Sequence, residues 1–127
     1  MRMRHRGSAA ALWLPPIALM ALIFALSAMP TDDVDRGLTH LLLRKAAHFT
    51  EYALLAALWW RALRSRVTES TAMLAALAIA VGYAITDEIH QTFVDGRIGS
   101  PVDVLIDSAG AATGIALATR RGRRVAA

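Results

Sequence analysis

No charged residue falls between Arg6 and Asp32. Inside that interval, Leu12 to Ala28 is apolar and long enough to cross a hydrocarbon layer of about 30 Å, which takes about 20 residues. A second apolar run, from about Leu41 to Leu63, is interrupted by Lys45, His48 and Glu51. A third, from Ser70 to about Phe93, is free of charge until Asp87. A fourth, from about Pro101 to Thr119, carries Asp103 and Asp107 near its start. The pattern predicts a single all-α domain over 1–127, an integral membrane bundle of four transmembrane helices near 12–29, 43–62, 71–92 and 102–119. Short connections make it an antiparallel bundle. Pro15 and Pro16 are expected in the first turn of span one, where there is no intrahelical N–H bond to lose.

Composition agrees. Hydrophobic residues are 56% of the 127 and charged residues 19%, below the roughly 25% charge of a soluble domain. Mean hydropathy is +0.43. Disorder is excluded, because disordered chains are poor in apolar residues. Cysteine is absent, which removes disulfides, thiol catalysis and Cys-ligated metals from consideration.

The net charge of +4 has meaning only through its placement. Arg2, Arg4 and Arg6 precede span one, Arg61, Arg64 and Arg66 follow span two, and Arg120, Arg121, Arg123 and Arg124 follow span four. A four-span chain has these three flanks on one side. Asp32, Asp33 and Asp35 and the region from Asp87 to Asp103 fall on the other. The positive-inside rule then puts both termini in the cytoplasm. Trp59 and Trp60 beside Arg61 suit an interfacial belt. Bases split over three flanks do not make one nucleic-acid face, so no nucleic-acid partner is expected. A cleavable leader ending near Ala25, Ser27 and Ala28 is the alternative for span one. Pro15, Pro16 and the length of the run favour a retained helix.

Polar groups inside lipid are costly, at least about 2.5–3.5 kcal/mol for a charge at the centre, and normally pair or work. On a helix, Lys45, His48 and Tyr52 share one face, with Glu51 one step round. Glu51 lies about 15 Å below Arg61, near the midplane. In span three, Tyr83, Asp87 and Gln91 share a face, and Glu88 and Gln91 are neighbours. Adjacent Asp87 and Glu88 suit acid–base work or cation binding, or a satisfied polar helix end. Arg97, the one cation between Asp95 and Ser100, is a candidate clamp for a phosphate or carboxylate, or else an ion-pair partner of Asp87, Glu88 or Asp103 or a contact to lipid headgroups. In span four Asp103, Asp107, Gly110 and Gly114 recur every three or four residues on one face. The glycines allow close helix approach, so the carboxylates are expected to face other helices. A metal reading would draw on His48, His90 and the carboxylates, but no close-spaced ligand motif is present. No metal and no cofactor is expected.

Three stretches carry a family resemblance. Lys45-Ala46-Ala47-His48-Phe49-Thr50-Glu51-Tyr52 resembles the first motif of the VanZ-like family. Thr86-Asp87-Glu88-Ile89-His90-Gln91-Thr92-Phe93-Val94-Asp95-Gly96-Arg97 resembles the second. Asp103-Val104-Leu105-Ile106-Asp107-Ser108-Ala109-Gly110, leading to Gly114, resembles the third. Order and spacing match over roughly Leu43 to Leu117. Two positions depart: Asp95 stands where the family often has proline, and Asp107 where it often has asparagine. The resemblance implies a small multi-pass protein of the bacterial plasma (inner) membrane and cell envelope. The family takes its name from a protein associated with resistance to the glycopeptide teicoplanin. The name supplies a topology and a compartment, not a reaction.

The residues leave three readings open. One is an outer-leaflet-facing site that binds or acts on an envelope lipid or lipid-linked cell-wall precursor. Glu88, His48 and Asp87 are its candidate catalytic groups, and Arg97, Gln91, Tyr52, Glu51, Asp103 and Asp107 its candidate ligand-binding groups. The second is proton or cation movement, disfavoured by the apolar stretches Leu54 to Leu58, Met73 to Ile79 and Ile115 to Ala118. The third is a structural or partner-binding protein whose polar cluster only locks the bundle.

Overall fold

The computed structural model describes residues 8–29 and 37–126. The flanks at Arg2, Arg4 and Arg6 and at Asp32, Asp33 and Asp35 lie outside the described residues. Four helices follow one another: α1 (Ala9–Ala28), α2 (Gly37–Leu63), α3 (Glu69–Gln91) and α4 (Pro101–Ala126). Local chemistry sets their ends. Ser8 accepts the Ala11 amide and Thr68 accepts the Thr71 amide, each filling an open N-terminal donor. Pro101 occupies the first position of α4, where its missing N–H costs nothing. Gly96, at φ +75°, makes the turn between α3 and α4 in the left-handed region open to glycine.

Cross-contacts fix the directions. Tyr83 meets Met20 and His90 stacks on Phe24, so α1 and α3 run parallel. Lys45 meets Asp103 and Trp60 faces Gly122, so α2 and α4 run parallel. The bundle is therefore up-down-up-down. One end gathers Arg61, Arg64, Arg66 and the C-terminal arginines of α4. The other gathers the end of α1 and the polar stretches of α2, α3 and α4.

The α2–α4 pair is the most extensive contact, and α1 touches α2 and α3 but not α4. Glycine explains the first fact. A Cβ at Gly110 or Gly114 would collide with the backbone carbonyls of Phe49 and Ala53. The two backbones thus pack directly, as small residues permit in membrane helices. On α3, Ala72, Ala76, Ala80 and Ala84 are fully buried at four-residue spacing, which lets that helix close on the same core. Tyr52, Leu55 and Ala56 of α2 and Ala111 and Ile115 of α4 complete it.

The outer walls are apolar. Leu14, Ile17, Leu22, Leu74, Leu105 and Leu117 are all exposed. Helices α1 and α3, and Pro101–Val125 of α4, are long and apolar enough to span a membrane. The 27-residue α2 has the length, about 40 Å at 1.5 Å per residue. It lacks the apolarity, because it carries Arg44, Lys45, Glu51 and Arg61.

The prolines differ from expectation. Since α1 begins at Ala9, Pro15 and Pro16 sit in its interior rather than its first turn. Pro15 cannot donate to the Ala11 carbonyl. The Arg61 guanidinium of α2 approaches that carbonyl to 3.5 Å. A neighbouring helix thereby serves the acceptor that proline leaves open, as happens in membrane bundles.

The backbone contact yields a paired test. Gly114→Ala should destabilise the folded protein by about 3 kcal/mol or prevent folding, since the obstructing atoms are backbone and cannot move aside. Gly82, with nothing near its Cβ position, should accept alanine and gain about 0.5–1 kcal/mol. Thermal melts in mild detergent read both. Equal melting temperatures for Gly114→Ala and wild type would show that the close approach contributes little.

Candidate functional site

The buried polar residues concentrate at the end of the bundle opposite the arginines. Ser27, Asp87, Glu88, Gln91 and Asp107 are all buried there, Asp107 completely. Each helix brings its share through its register. The glycine contact sets α4 against α2 so that Asp103 and Asp107, one turn apart, face Lys45 and His48.

The outermost pair is Lys45 and Asp103, an ion pair at 2.5 Å. One turn deeper, His48 Nδ1 lies 3.5 Å from Asp107 Oδ1, the outer limit of a hydrogen bond. Among the described residues no closer donor reaches either Asp107 oxygen. These four residues line a cleft of about 160 Å³, with Arg44 beside them. The hydroxyl of Tyr52 is likewise buried without a partner, and its ring centre lies 6.5 Å from that of Tyr83. Tyr83 itself donates to the Met20 carbonyl of α1.

The adjacent carboxylates of α3 diverge. Asp87 accepts from Gln91 at 3.3 Å and has the buried Ser27 of α1 as its neighbour. Glu88 turns toward α4. Its Oε2 accepts the Ser100 amide at 2.7 Å, while Oε1 is buried and unpaired. Glu88 and Gln91 therefore do not bond each other, and His48 is matched with Asp107 rather than Glu88. Glu51 stands apart, half-buried in an apolar groove between α1 and α2 that Leu19, Leu43 and Leu54 help to line. Among the described residues no group of three or more histidines and carboxylates is placed to hold a metal. His90 stacks on Phe24 at 4.6 Å, away from His48.

Arg97 reaches back across the bundle. Its Nε donates to the Met29 carbonyl at 3.0 Å and its Nη2 to the Leu26 carbonyl at 2.9 Å. A cation at a helix C-terminus meets open carbonyls and the negative end of the helix dipole. The guanidinium thus ties the loop after α3 to the end of α1.

Two participants escaped the reading of the sequence. Ser27 had a signal: it is a polar residue four places after buried Ile23, on the inner stripe of an otherwise apolar helix. The Ser100 amide had none, since a backbone donor carries no residue label.

An α-helical bundle with apolar outer walls and an inward-turned polar cluster at one end defines a membrane protein. The chain belongs to the VanZ/LLP1 family, whose model matches residues 12–122. The match includes all three motif stretches and α1 almost entirely. No curated protein and no solved structure matches the chain.

The Arg97 contact generates a local expectation. Arg97→Ala should lower stability by about 1 kcal/mol, as for a lost charge–helix-end contact. It should speed hydrogen exchange of amides at the end of α1 while leaving the α2–α4 region protected. Uniform loosening, or no change at α1, would assign the residue a different role.

Proposed function

We propose that this VanZ-like protein is a four-span protein of the bacterial plasma membrane with both termini cytoplasmic. Its polar end opens toward the outer leaflet, where it holds an envelope lipid or lipid-linked precursor by its headgroup. The count of four rests on α2. That helix packs against α1, α3 and α4, and its Arg44, Lys45, His48 and Glu51 are partly buried, which lowers the cost of ionisable groups at membrane depth. Orientation rests on the arginines gathered at one bundle end.

The observation that carries the binding reading is Asp107. A fully buried carboxylate whose nearest donor is His48 Nδ1, 3.5 Å from one oxygen, with none on the other, is expensive unless something supplies further donors. It lines a cleft beside Arg44, Lys45 and His48, so a ligand with hydrogen-bond donors and an anionic group suits it. A cluster that only locked the bundle would be expected to satisfy its own members. If a reaction occurs, His48 is the group suited to proton transfer near neutral pH, with Asp107 orienting it and Glu88 and Asp87 as the further acid–base candidates. Altered display of such a lipid at the outer surface would connect the site to glycopeptide (teicoplanin) tolerance.

Two experiments test this. The chain has no cysteine, so single cysteines report topology cleanly. In intact cells an impermeant thiol reagent should label Ile98→Cys and spare Ser65→Cys and Val125→Cys; the reverse pattern overturns the orientation. Native mass spectrometry from mild detergent should show a stoichiometric lipid on the wild type. It should be depleted in Asp107→Asn or Glu88→Gln at unchanged melting temperature. A wild type without adduct, with both variants merely less stable, returns the cluster to a structural role.

A further inference from the structure

The α2–α4 cleft is graded in charge as well as depth. Side-chain exposure falls from 34% at Lys45 and 25% at Asp103 to 18% at His48 and 0% at Asp107. The mouth therefore carries Arg44 and Lys45, with Lys45 already matched by Asp103. The floor carries a buried acid with His48 Nδ1 3.5 Å from one oxygen and no donor on the other. A simple anion would find its cations at the mouth and a repelling carboxylate behind them. A simple cation would leave Arg44 unanswered.

A ligand with both signs, the positive one leading, answers the whole gradient. The leading group must give a proton to the oxygen that His48 leaves bare and strengthen the long contact at the other. A hydroxyl has one proton and no charge to give, whereas an ammonium has three and brings a counter-charge that does not depend on protonation of His48. The cleft volume of about 160 Å³ is the room of about five water molecules at ~30 Å³ each. That suits a small headgroup and not a glycan or peptide.

We propose that the α2–α4 cleft binds a phosphorylated primary amine, ammonium on Asp107 and phosphate at the mouth against Arg44, as the headgroup of an aminophospholipid presents them. The proposal rests on the reading of the cleft as a headgroup site and narrows its occupant. Lipid-linked precursors with large headgroups fall outside it.

The test is competition among lipids of equal chain length for the full-length protein in mild detergent, read by native mass spectrometry. The probes are phosphatidylethanolamine, phosphatidylcholine and phosphatidylglycerol. The wild type should retain the ethanolamine lipid about tenfold over the choline lipid, which has no N–H to donate, and over the glycerol lipid, a difference of about 1.4 kcal/mol. Asp107→Asn should erase that preference. Arg44→Gln should weaken all three together and preserve the ratio. Displacement of bound lipid by soluble phosphoethanolamine at equal concentration would identify the free compound as the ligand, and failure to displace would identify the lipid. Lipid retained without amine preference in the wild type, or a preference that survives in folded Asp107→Asn, overturns this proposal and leaves the broader headgroup reading standing. No retained lipid of any kind overturns both. Should Asp107→Asn not fold, the wild-type ratio alone decides.

Discussion

The approach of the α2 and α4 backbones at Gly110 and Gly114 is the constraint on which the remaining geometry rests. No side chain separates the helices there, so their rotation and register are fixed by backbone contact rather than by adaptable packing. Fixing the register one or two turns along fixes it at the polar end. Asp103 then meets Lys45, and Asp107 meets His48. Had α4 been rotated by one residue, about 100°, the carboxylates would have faced another neighbour or lipid. The glycines and the acids are thus parts of one device: the first holds the helices close, and the closeness buries the second.

Burial of charge explains the distribution of polar groups between the two bundle ends. Arginines at one end need no partner within the protein, because long side chains reach interfacial water and headgroups. Carboxylates are short and cannot reach out from the middle of a helix. They are supported from within: Glu88 by the Ser100 amide, Asp87 by Gln91, Asp103 by Lys45. Asp107 has only His48 Nδ1 at 3.5 Å from one oxygen, and so is the least supported of them. The peripheral position of α1 follows from the same economy. Only Pro16, Ile23 and Ser27 are buried on it, and it is pinned at both ends by arginines from elsewhere, Arg61 at Ala11 and Arg97 at Leu26 and Met29.

Much of this was legible in the sequence because it is local. Apolar runs set the four helices, and the three- and four-residue spacing of Asp103, Asp107, Gly110 and Gly114 set the inner face of α4. The motif resemblance named the family that the family model then matched. What was not legible depends on three-dimensional partner choice. Residue types offer Glu88, His48 and Asp87 together as acid–base candidates without fixing which of them meet. In the bundle α4 stands against α2 and takes His48 for Asp107. Arg97 had acids on either side in sequence, yet it spans 68 and 71 residues to carbonyls of α1. Backbone acceptors are invisible to a reading of residue types. The prolines were misplaced for a related reason: helix α1 starts at a serine cap, and an apolar run alone does not mark a cap.

The interior below the polar end bears on what kind of work the site can do. Beneath Asp107 and Tyr52 the core is Leu55, Ala56, Ala76, Ala80, Ala111 and Ile115, all buried and without a polar side chain. Small residues on facing helices close that space by backbone approach instead of leaving room for water. A proton or ion crossing the bundle would need donors and acceptors along its path, and such groups are expensive to omit at low dielectric. Above that core the polar groups divide, with Lys45, His48, Asp103 and Asp107 on the α2–α4 cleft, Glu51 on the groove beside α1 and Glu88 on a groove between α3 and α4. This core offers no buried polar side chain to a charge passing along it, and it agrees with the proposed headgroup reading. The same apolar core separates Asp107 from the opposite end of the bundle, and the cleft that Asp107 lines also carries Lys45 and Asp103.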